Sequence, residues 1–293
     1  MLVKPLILQN PMTLKSIHDQ YREQLEEIYP LQEIDSIFAI VVEHNLGMSR
    51  ADRVLHATES IEVEKQNELL SILDRLKKEE PIQYILGKTE FYGLELAVNP
   101  HVLIPRPETE ELVRWILDSV ENKAPMILDF GTGSGCIALA VKKELPQAGV
   151  VGVDKSPVAL QLANKNAKTL KLNVDFEILD ILGNSLSIEG KFDIMVSNPP
   201  YVRYSERVHM KSNVLKYEPE MALFVDDTDP LVFYRRIAEL GKDYLSKDGL
   251  LFFEINEVYG QEILELLRDK CYTEIELRKD LNGKDRMIKA RKN

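Results

Sequence analysis

From residue 108 onward the sequence alternates between short apolar runs suited to strands and longer stretches with apolar residues at helical spacing. That alternation constrains the architecture more than any other feature. It reads as a helix over 108–122, strand 126–130, helix 137–145, strand 150–154, helix 157–170 and strands 175–179 and 192–197. A long loop follows, then helix 230–244, strand 250–255, helix 258–270 and strands 273–277 and 287–290. Strands separated by helices imply a mostly parallel sheet covered on both faces, here of seven strands. The last two strands follow each other without a helix, so one of them is expected to be antiparallel. The fold class is α/β.

Residues 1–85 have a different period. Leu14, Ile17, Tyr21, Leu25 and Ile28 recur at helical spacing until Pro30, and a second apolar helix spans 31–46 with Gly47 as its stop. Ser49 with Asp52 three residues on opens a short third helix, and a fourth over 63–79 ends before Pro81. We therefore expect a small all-helical domain over 1–85 and a connector over 86–107. The connector is a β-hairpin around Gly93, stiffened by Pro100, Pro105 and Pro107. The α/β domain then occupies 108–293. The first dozen residues read as an extension, without the apolar stretch and small-residue cleavage site of a signal peptide. No apolar run approaches the ~20 residues a membrane span needs. A cytoplasmic protein with no membrane partner is expected.

Net charge is −11. Residues 1–85 hold nine Lys/Arg against fifteen Asp/Glu, and 86–293 hold 28 against 33. Neither part has the basic excess that neutralises a phosphate backbone, so a protein or small-molecule substrate is favoured over direct nucleic-acid binding. Cys136 and Cys271 are the only cysteines, which excludes a disulfide framework and a cysteine-rich zinc site. Both are expected as buried or half-buried thiols. His18, His44, His56, His101 and His209 have no ligand spacing, so no metal is expected.

The run Met126-Ile-Leu-Asp129-Phe-Gly131-Thr132-Gly133-Ser134-Gly135 is an apolar strand entering a glycine-rich turn that opens a helix. Such a turn lets a ligand lie against bare backbone near unpaired helix N–H groups. A dinucleotide fingerprint would place its third glycine at 136, where Cys136 stands; the glycine comes one residue early, which disfavours a dinucleotide enzyme. The next strand ends on Asp154, where a carboxylate can accept from both ribose hydroxyls of an adenosine. The third ends at Asp180-Ile181, an acceptor for an adenine amino group beside an apolar neighbour. Three strand-tip acids, Asp129, Asp154 and Asp180, fit a ligand that joins adenosine to an amino acid.

Strand 192–197 runs into Asn198-Pro199-Pro200-Tyr201, where two prolines stiffen the chain. An –NH2 group on a planar amide or ring is a poor nucleophile, because its lone pair is delocalised. Asn198 Oδ1 and the Pro199 carbonyl can accept its two protons, orienting the nitrogen toward a methyl sulfonium and stabilising developing positive charge. Tyr201 can lay its ring against the flat group. This chemistry needs neither a metal nor a covalent nucleophile.

Over residues 20–293 the chain resembles the HemK/PrmC class of peptide chain release factor glutamine methyltransferases. The resemblance rests on Glu80-Pro-Ile-Gln-Tyr-Ile-Leu-Gly87, Glu90-Phe-Tyr-Gly93, Val102-Leu-Ile-Pro-Arg-Pro-Glu-Thr-Glu110, the Asp129–Gly135 turn and Asn198–Tyr201. It also rests on Tyr217-Glu-Pro-Glu-Met-Ala-Leu223, Phe233-Tyr-Arg-Arg-Ile237 and Arg278-Lys-Asp-Leu-Asn-Gly-Lys-Asp-Arg286. It implies a Rossmann-like methyltransferase sheet, S-adenosylmethionine as cofactor with S-adenosylhomocysteine as product, and no metal. The substrate it implies is the side-chain amide of the Gly-Gly-Gln glutamine of release factors, held partly by the helical domain. Carried over by position, Gly131, Thr132, Gly133, Ser134, Gly135 and Asp154 would bind the cofactor, with Asp129 at the base of the turn. Asp180, Ile181 and Asn198 would flank its adenine and methionine parts, and Thr109 would sit near its methionine end. Asn198, Pro199, Pro200 and Tyr201 would hold the glutamine.

Two positions depart from the pattern. Relatives often carry an aromatic residue where this chain has Ile181, and Glu-Ile-Gly where it has Glu254-Ile-Asn256. A ribosomal-protein glutamine methyltransferase is the nearest alternative, sharing the chemistry and differing in target. A DNA adenine methyltransferase is disfavoured by the acidic charge and the lack of a large extra recognition domain. A non-catalytic release-factor binder would not require the glycine turn, Asp154 and the Asn-Pro-Pro-Tyr motif together.

Overall fold

A computed structural model of the protein describes residues 12–183 and 189–293, in two units that part between Leu86 and Gly87, each with its own core. The expected N-terminal extension lies, up to Pro11, outside the described residues. In the first unit Thr13 caps α1 (Leu14–Leu25), accepting from the Ser16 amide while Ser16 returns a bond to the Thr13 amide. Helix α2 (Leu31–Leu46) ends at Gly47, and α3 (Arg50–Leu55) opens on the expected Ser49–Asp52 box. Leu14, Ile17, Tyr21 and Leu25 pack with Ile34, Phe38, Val41 and Val42 of α2 and with Leu69, Leu73 and Leu76 of α4 (Val63–Leu76). Each such side chain contributes about 1.5–3 kcal/mol when fully buried. Helix α4 stops a turn earlier than its periodicity predicts, because Glu79 turns left-handed (φ 65°) and the Glu80 amide bonds back to the Arg75 carbonyl. A fifth short helix, α5 (Ile82–Leu86), which the sequence reading did not include, closes the unit; the Pro81 carbonyl accepts from the Tyr84 and Ile85 amides.

The second unit opens with the antiparallel hairpin β1 (Lys88–Phe91) and β2 (Leu94–Ala97), turned by Tyr92-Gly93. Helix α6 (Pro107–Ser119) leads to β3 (Met126–Phe130), α7 (Cys136–Glu144), β4 (Gly149–Asp154), α8 (Pro157–Leu170), β5 (Asp175–Ile178) and β6 (Phe192–Ser197). The long loop after β6 has structure of its own. A parallel pair, β7 (Val202–Arg203) and β8 (Phe224–Val225), brackets short helices α9 (Ser212–Tyr217) and α10 (Glu220–Leu223). Helix α11 (Val232–Tyr244), β9 (Leu245–Glu254), α12 (Gly260–Asp269), β10 (Tyr272–Lys279) and β11 (Asp285–Lys292) complete it.

The seven-stranded sheet has the order β10-β11-β9-β6-β3-β4-β5. Its only antiparallel pairings among the described residues are those of β11 with β9 and β10, so β11 is the reversed strand. Alternate residues face opposite layers. Ile127, Val150 and Ile194 join the core under α6 and α7, whereas Leu128, Val153 and Met195 join that under α11 and α12. The chain runs outward from β3 to β5 and then returns to β6 on the other side of β3. The two crossovers diverge there and leave a crevice beyond the C-terminal ends of β3 and β6, where open α/β sheets bind ligands. Cys136 is half-buried as expected, and burial pushes its thiol up to about 12. Cys271 is instead exposed: it sits at a left-handed turn (φ 62°) just past α12, which carries it into solvent. Among the described residues no helix is long and apolar enough to cross a membrane.

Candidate active site

A cavity of about 310 Å³ lies in that crevice. Its wall includes Gly131, Gly133, Asp154, Asp180, Ile181, Asn198 and Pro200 from the tips of four strands. The volume lies at the lower end of the range for small-molecule sites. Gly131 and Gly133 have φ of 70° and 55°, a region that strains any residue with a Cβ. A Cβ built on Gly131 would meet nothing within 4 Å, and one on Gly133 only the Gly131 carbonyl at 3.9 Å. Both glycines thus offer bare backbone to the cavity. Gly135 does something else. A Cβ there would press Leu139, Phe176 and Ala163 at 3.1–3.3 Å, so this glycine lets the start of α7 pack closely.

Asp154 braces the turn. Its Oδ2 accepts from the Gly133 amide at 2.9 Å and its Oδ1 from the Ser156 amide at 2.8 Å, while burial raises its carboxyl. Two of its roughly four lone-pair positions stay available. Helix α8 is capped, as expected, by Ser156, which accepts from the Ala159 amide ahead of Pro157. Asp180 is engaged as well: the Lys155 ammonium at 2.7 Å holds its carboxyl below the usual range. Both partners are substantially exposed, so the pair is weak and opens readily to a competing donor.

Asp129, Thr132 and Ser134 lie beneath the cavity, all buried. The Thr132 hydroxyl donates to Asp129 Oδ2 at 2.6 Å, and the Ser134 carbonyl accepts from Asn166 Nδ2. Asp129 Oδ1 is buried without a hydrogen-bond partner. The Ala138 amide favours the anion from nearby without closing a bond of good geometry, and burial prevails, pushing the carboxyl up to about 7. These features fit the proposed cofactor: an unfilled acceptor under the turn, spare acceptor capacity on Asp154, and open space over two glycines.

On the other side of the crevice, Ser197 Oγ donates to the Phe130 carbonyl and ties the end of β6 to β3. Asn198 and Pro200 then face the cavity, and Pro199 is buried. Thr109 is 2% exposed, is not part of the cavity wall, and lies behind Asn198, accepting from Asn198 Nδ2 at 3.2 Å. Its own hydroxyl donates to Glu254 Oε2 at 2.6 Å, and Tyr201 donates to Glu254 Oε1 at 3.3 Å. Asn256 Nδ2 holds the Tyr201 carbonyl at 3.2 Å and Glu206 at 3.3 Å.

Several participants were not recognised as site residues from the sequence. Glu254 and Asn256 stood out only as a departure from a pattern, though a glutamate ending an apolar strand was a signal of burial in need of partners. Phe224 and Phe233 line the cavity from β8 and α11, supplying aromatic surface near Ile181. Arg106 pairs with the buried Glu218, which also accepts from the Ile104 amide, joining the segment before α6 to the loop after α9.

A family profile described as "Methyltransferase small domain" matches residues 110–217, and one described as "PrmC N-terminal domain" matches residues 17–87. The chain is 44% identical over 285 residues to the release factor glutamine methyltransferase of Flavobacterium psychrophilum, covering 95% of this chain and 99% of that one. It is 45% identical over 270 residues to the release factor glutamine methyltransferase of Bacteroides thetaiotaomicron, covering 92% and 96%. Among solved structures, a methyltransferase from Pyrococcus furiosus superposes with a TM-score of 0.53 at 18% identity, over 78% of this chain and 98% of that one, a likeness of fold.

Proposed function

The chain belongs to the release factor glutamine methyltransferase family, and on that premise we propose that it methylates the side-chain amide nitrogen of a protein glutamine. S-adenosylmethionine supplies the methyl group when bound in the cavity. The glutamine proposed is that of the Gly-Gly-Gln motif of peptide chain release factors, and the enzyme acts in the cytoplasm. The observation that carries the reading is the convergence of Asn198 and Pro200 on the same cavity as Gly131, Gly133 and Asp154. On this reading methyl donor and flat amide share one wall.

Gly131 and Gly133 present backbone to the cofactor's amino-acid part, and Asp154 accepts from its ribose hydroxyls. Asp180 exchanges Lys155 for the adenine amino group, while Ile181, Phe224 and Phe233 surround the ring. Asn198 Oδ1 and the Pro199 carbonyl accept the two N–H bonds of the glutamine amide, and Tyr201 covers its face. Fixing the nitrogen in line replaces a chance encounter with a held geometry, the largest lever available for so weak a nucleophile. Residues 1–85 serve as the substrate-recognition domain, residues 86–107 as the connector and residues 108–293 as the methyltransferase domain.

The deciding experiment measures methyl transfer from labelled S-adenosylmethionine to purified release factor, to ribosomal protein and to DNA, followed by mapping of the modified residue. Label on a release-factor glutamine is expected. Label only on ribosomal protein or DNA would replace the proposed substrate, and none at all would leave a binder. A whole release factor should also show a lower KM than a short Gly-Gly-Gln peptide, since contacts remote from the reacting amide strengthen binding.

A further inference from the structure

Asn198 faces the cavity with a planar head group whose two ends offer opposite things: Oδ1 accepts and Nδ2 donates. A glutamine amide presents two N–H groups, so only the orientation with Oδ1 toward the cavity is productive. Nothing within Asn198-Pro199-Pro200-Tyr201 itself chooses between the two. The choice is made from behind the wall. Glu254, 1% exposed at the tip of β9, accepts the Thr109 hydroxyl proton at 2.6 Å. A hydroxyl that gives its proton to a carboxylate has only lone pairs left for its other neighbour. That neighbour is Asn198 Nδ2, 3.2 Å away. The nitrogen end is thereby held toward Thr109, behind the wall, and the oxygen end is left for the cavity. The second oxygen of Glu254 faces the Tyr201 hydroxyl at 3.3 Å, so one carboxylate addresses both ends of the motif. Burial raises the Glu254 carboxyl above its ordinary value, with Glu108 adding to it, while the bond from Thr109, the Arg286 charge and the bond from Tyr201 favour the ionised form.

We infer that Glu254 is a positioning residue for methyl transfer: through Thr109 it sets which end of the Asn198 amide meets the substrate, and directly it seats Tyr201. This rests on the glutamine reading proposed above. Glu254→Gln keeps the shape and loses the instruction. A glutamine has one acceptor oxygen for two hydroxyls, and its NH2 end turns one of them round. Thr109→Val removes the relay at nearly constant volume, and Thr109→Ser retains it.

The test uses the full chain with S-adenosylmethionine and release factor. Single-turnover methyl transfer should fall by about ten- to a hundredfold in Glu254→Gln and in Thr109→Val, with cofactor affinity within about threefold of wild type. Thr109→Ser should recover most of the rate. In an Asn198→Ala background Thr109→Val should cost nothing more, because the relay acts only through Asn198. Equal losses in both backgrounds, or near-normal turnover of either single variant, would overturn the inference. A second readout needs no substrate. In protein labelled with ¹⁵N-asparagine, the Asn198 side-chain NH2 signal, assigned by its loss in Asn198→Ala, should carry one hydrogen-bonded proton in wild type and Thr109→Ser. That bonded shift should vanish in Thr109→Val; an unchanged signal would overturn the inference. A wild type that bonds as expected yet leaves release factor unmethylated would refute the glutamine reading and not the orientation of Asn198.

Discussion

The two sides of the crevice are built differently. On the side proposed for the cofactor the important bonds are local: Thr132 to Asp129 across three residues, Ser156 to Asp154 across two, Gly133 to Asp154 across twenty-one. On the side proposed for the substrate they are remote. Asn198 reaches Thr109 across 89 residues, Thr109 reaches Glu254 across 145, and Tyr201 reaches Glu254 across 53. Backbone and short turns shape the first wall, whereas side chains from α6 and β9 hold the second. A local site tolerates change elsewhere in the chain. A remote one couples chemistry to the packing of the whole sheet.

The largest effect should come from the remote side. Asn198→Ala removes one acceptor from the cavity wall and should lower turnover by about 100- to 1000-fold, the scale of one preorganised polar group. Cofactor affinity, measured by calorimetry, should move far less. A comparable loss of affinity would mean that the two sides are not separable.

Asp129 comes next and probes the local side through pH. Its carboxyl, raised by burial from 3.8 to about 7, holds its proton more tightly folded than unfolded. Its contribution therefore favours the folded state at low pH and is lost as pH rises toward 7. The stability of wild type relative to Asp129→Asn should fall by roughly 2–3 kcal/mol between pH 5 and 7.5, and level off above. Chemical denaturation of both proteins along that pH series measures it. A flat difference would mean that the carboxyl keeps an ordinary pKa.

Asp154→Ala should weaken S-adenosylmethionine binding by about 1.5–3 kcal/mol, the worth of hydrogen bonds to a charged group. Because Asp154 also holds the Gly133 amide, part of that loss reflects a loosened turn. Unchanged affinity by calorimetry would remove Asp154 from the site. The smallest effect is expected from Asn256→Gly, which frees the Tyr201 carbonyl and Glu206. About 0.5–1.5 kcal/mol is at stake, a few-fold in turnover with cofactor binding untouched. A drop as deep as that of Asn198→Ala would make Asn256 a principal support of the motif.

The contrast also explains what could be read without coordinates. Gly131, Gly133, Asp154 and Asn198 were legible because each stands at the end of an apolar strand, and strand tips of a parallel sheet share one edge. The seven strands and the reversal near the C-terminus were legible in the same way, from period and connection length. Helix ends missed by a turn, as at Glu79, depend on a single left-handed residue that periodicity does not register. The paired strands of the loop after β6 were not legible, since Val202–Arg203 and Phe224–Val225 are two residues each and carry no repeating pattern.

By itself, then, the sequence determined the α/β architecture, the glycine turn, the acids at the strand tips and the Asn-Pro-Pro-Tyr motif, all of which are patterns within one element or its turn. Only the tertiary structure decided what Thr109 touches, that Glu254 stands behind both Asn198 and Tyr201, and that Phe224 and Phe233 reach the cavity. Hydrogen bonds and ring contacts between such distant positions leave no period in a chain, because their partners become neighbours only after the sheet order brings β9 beside β6.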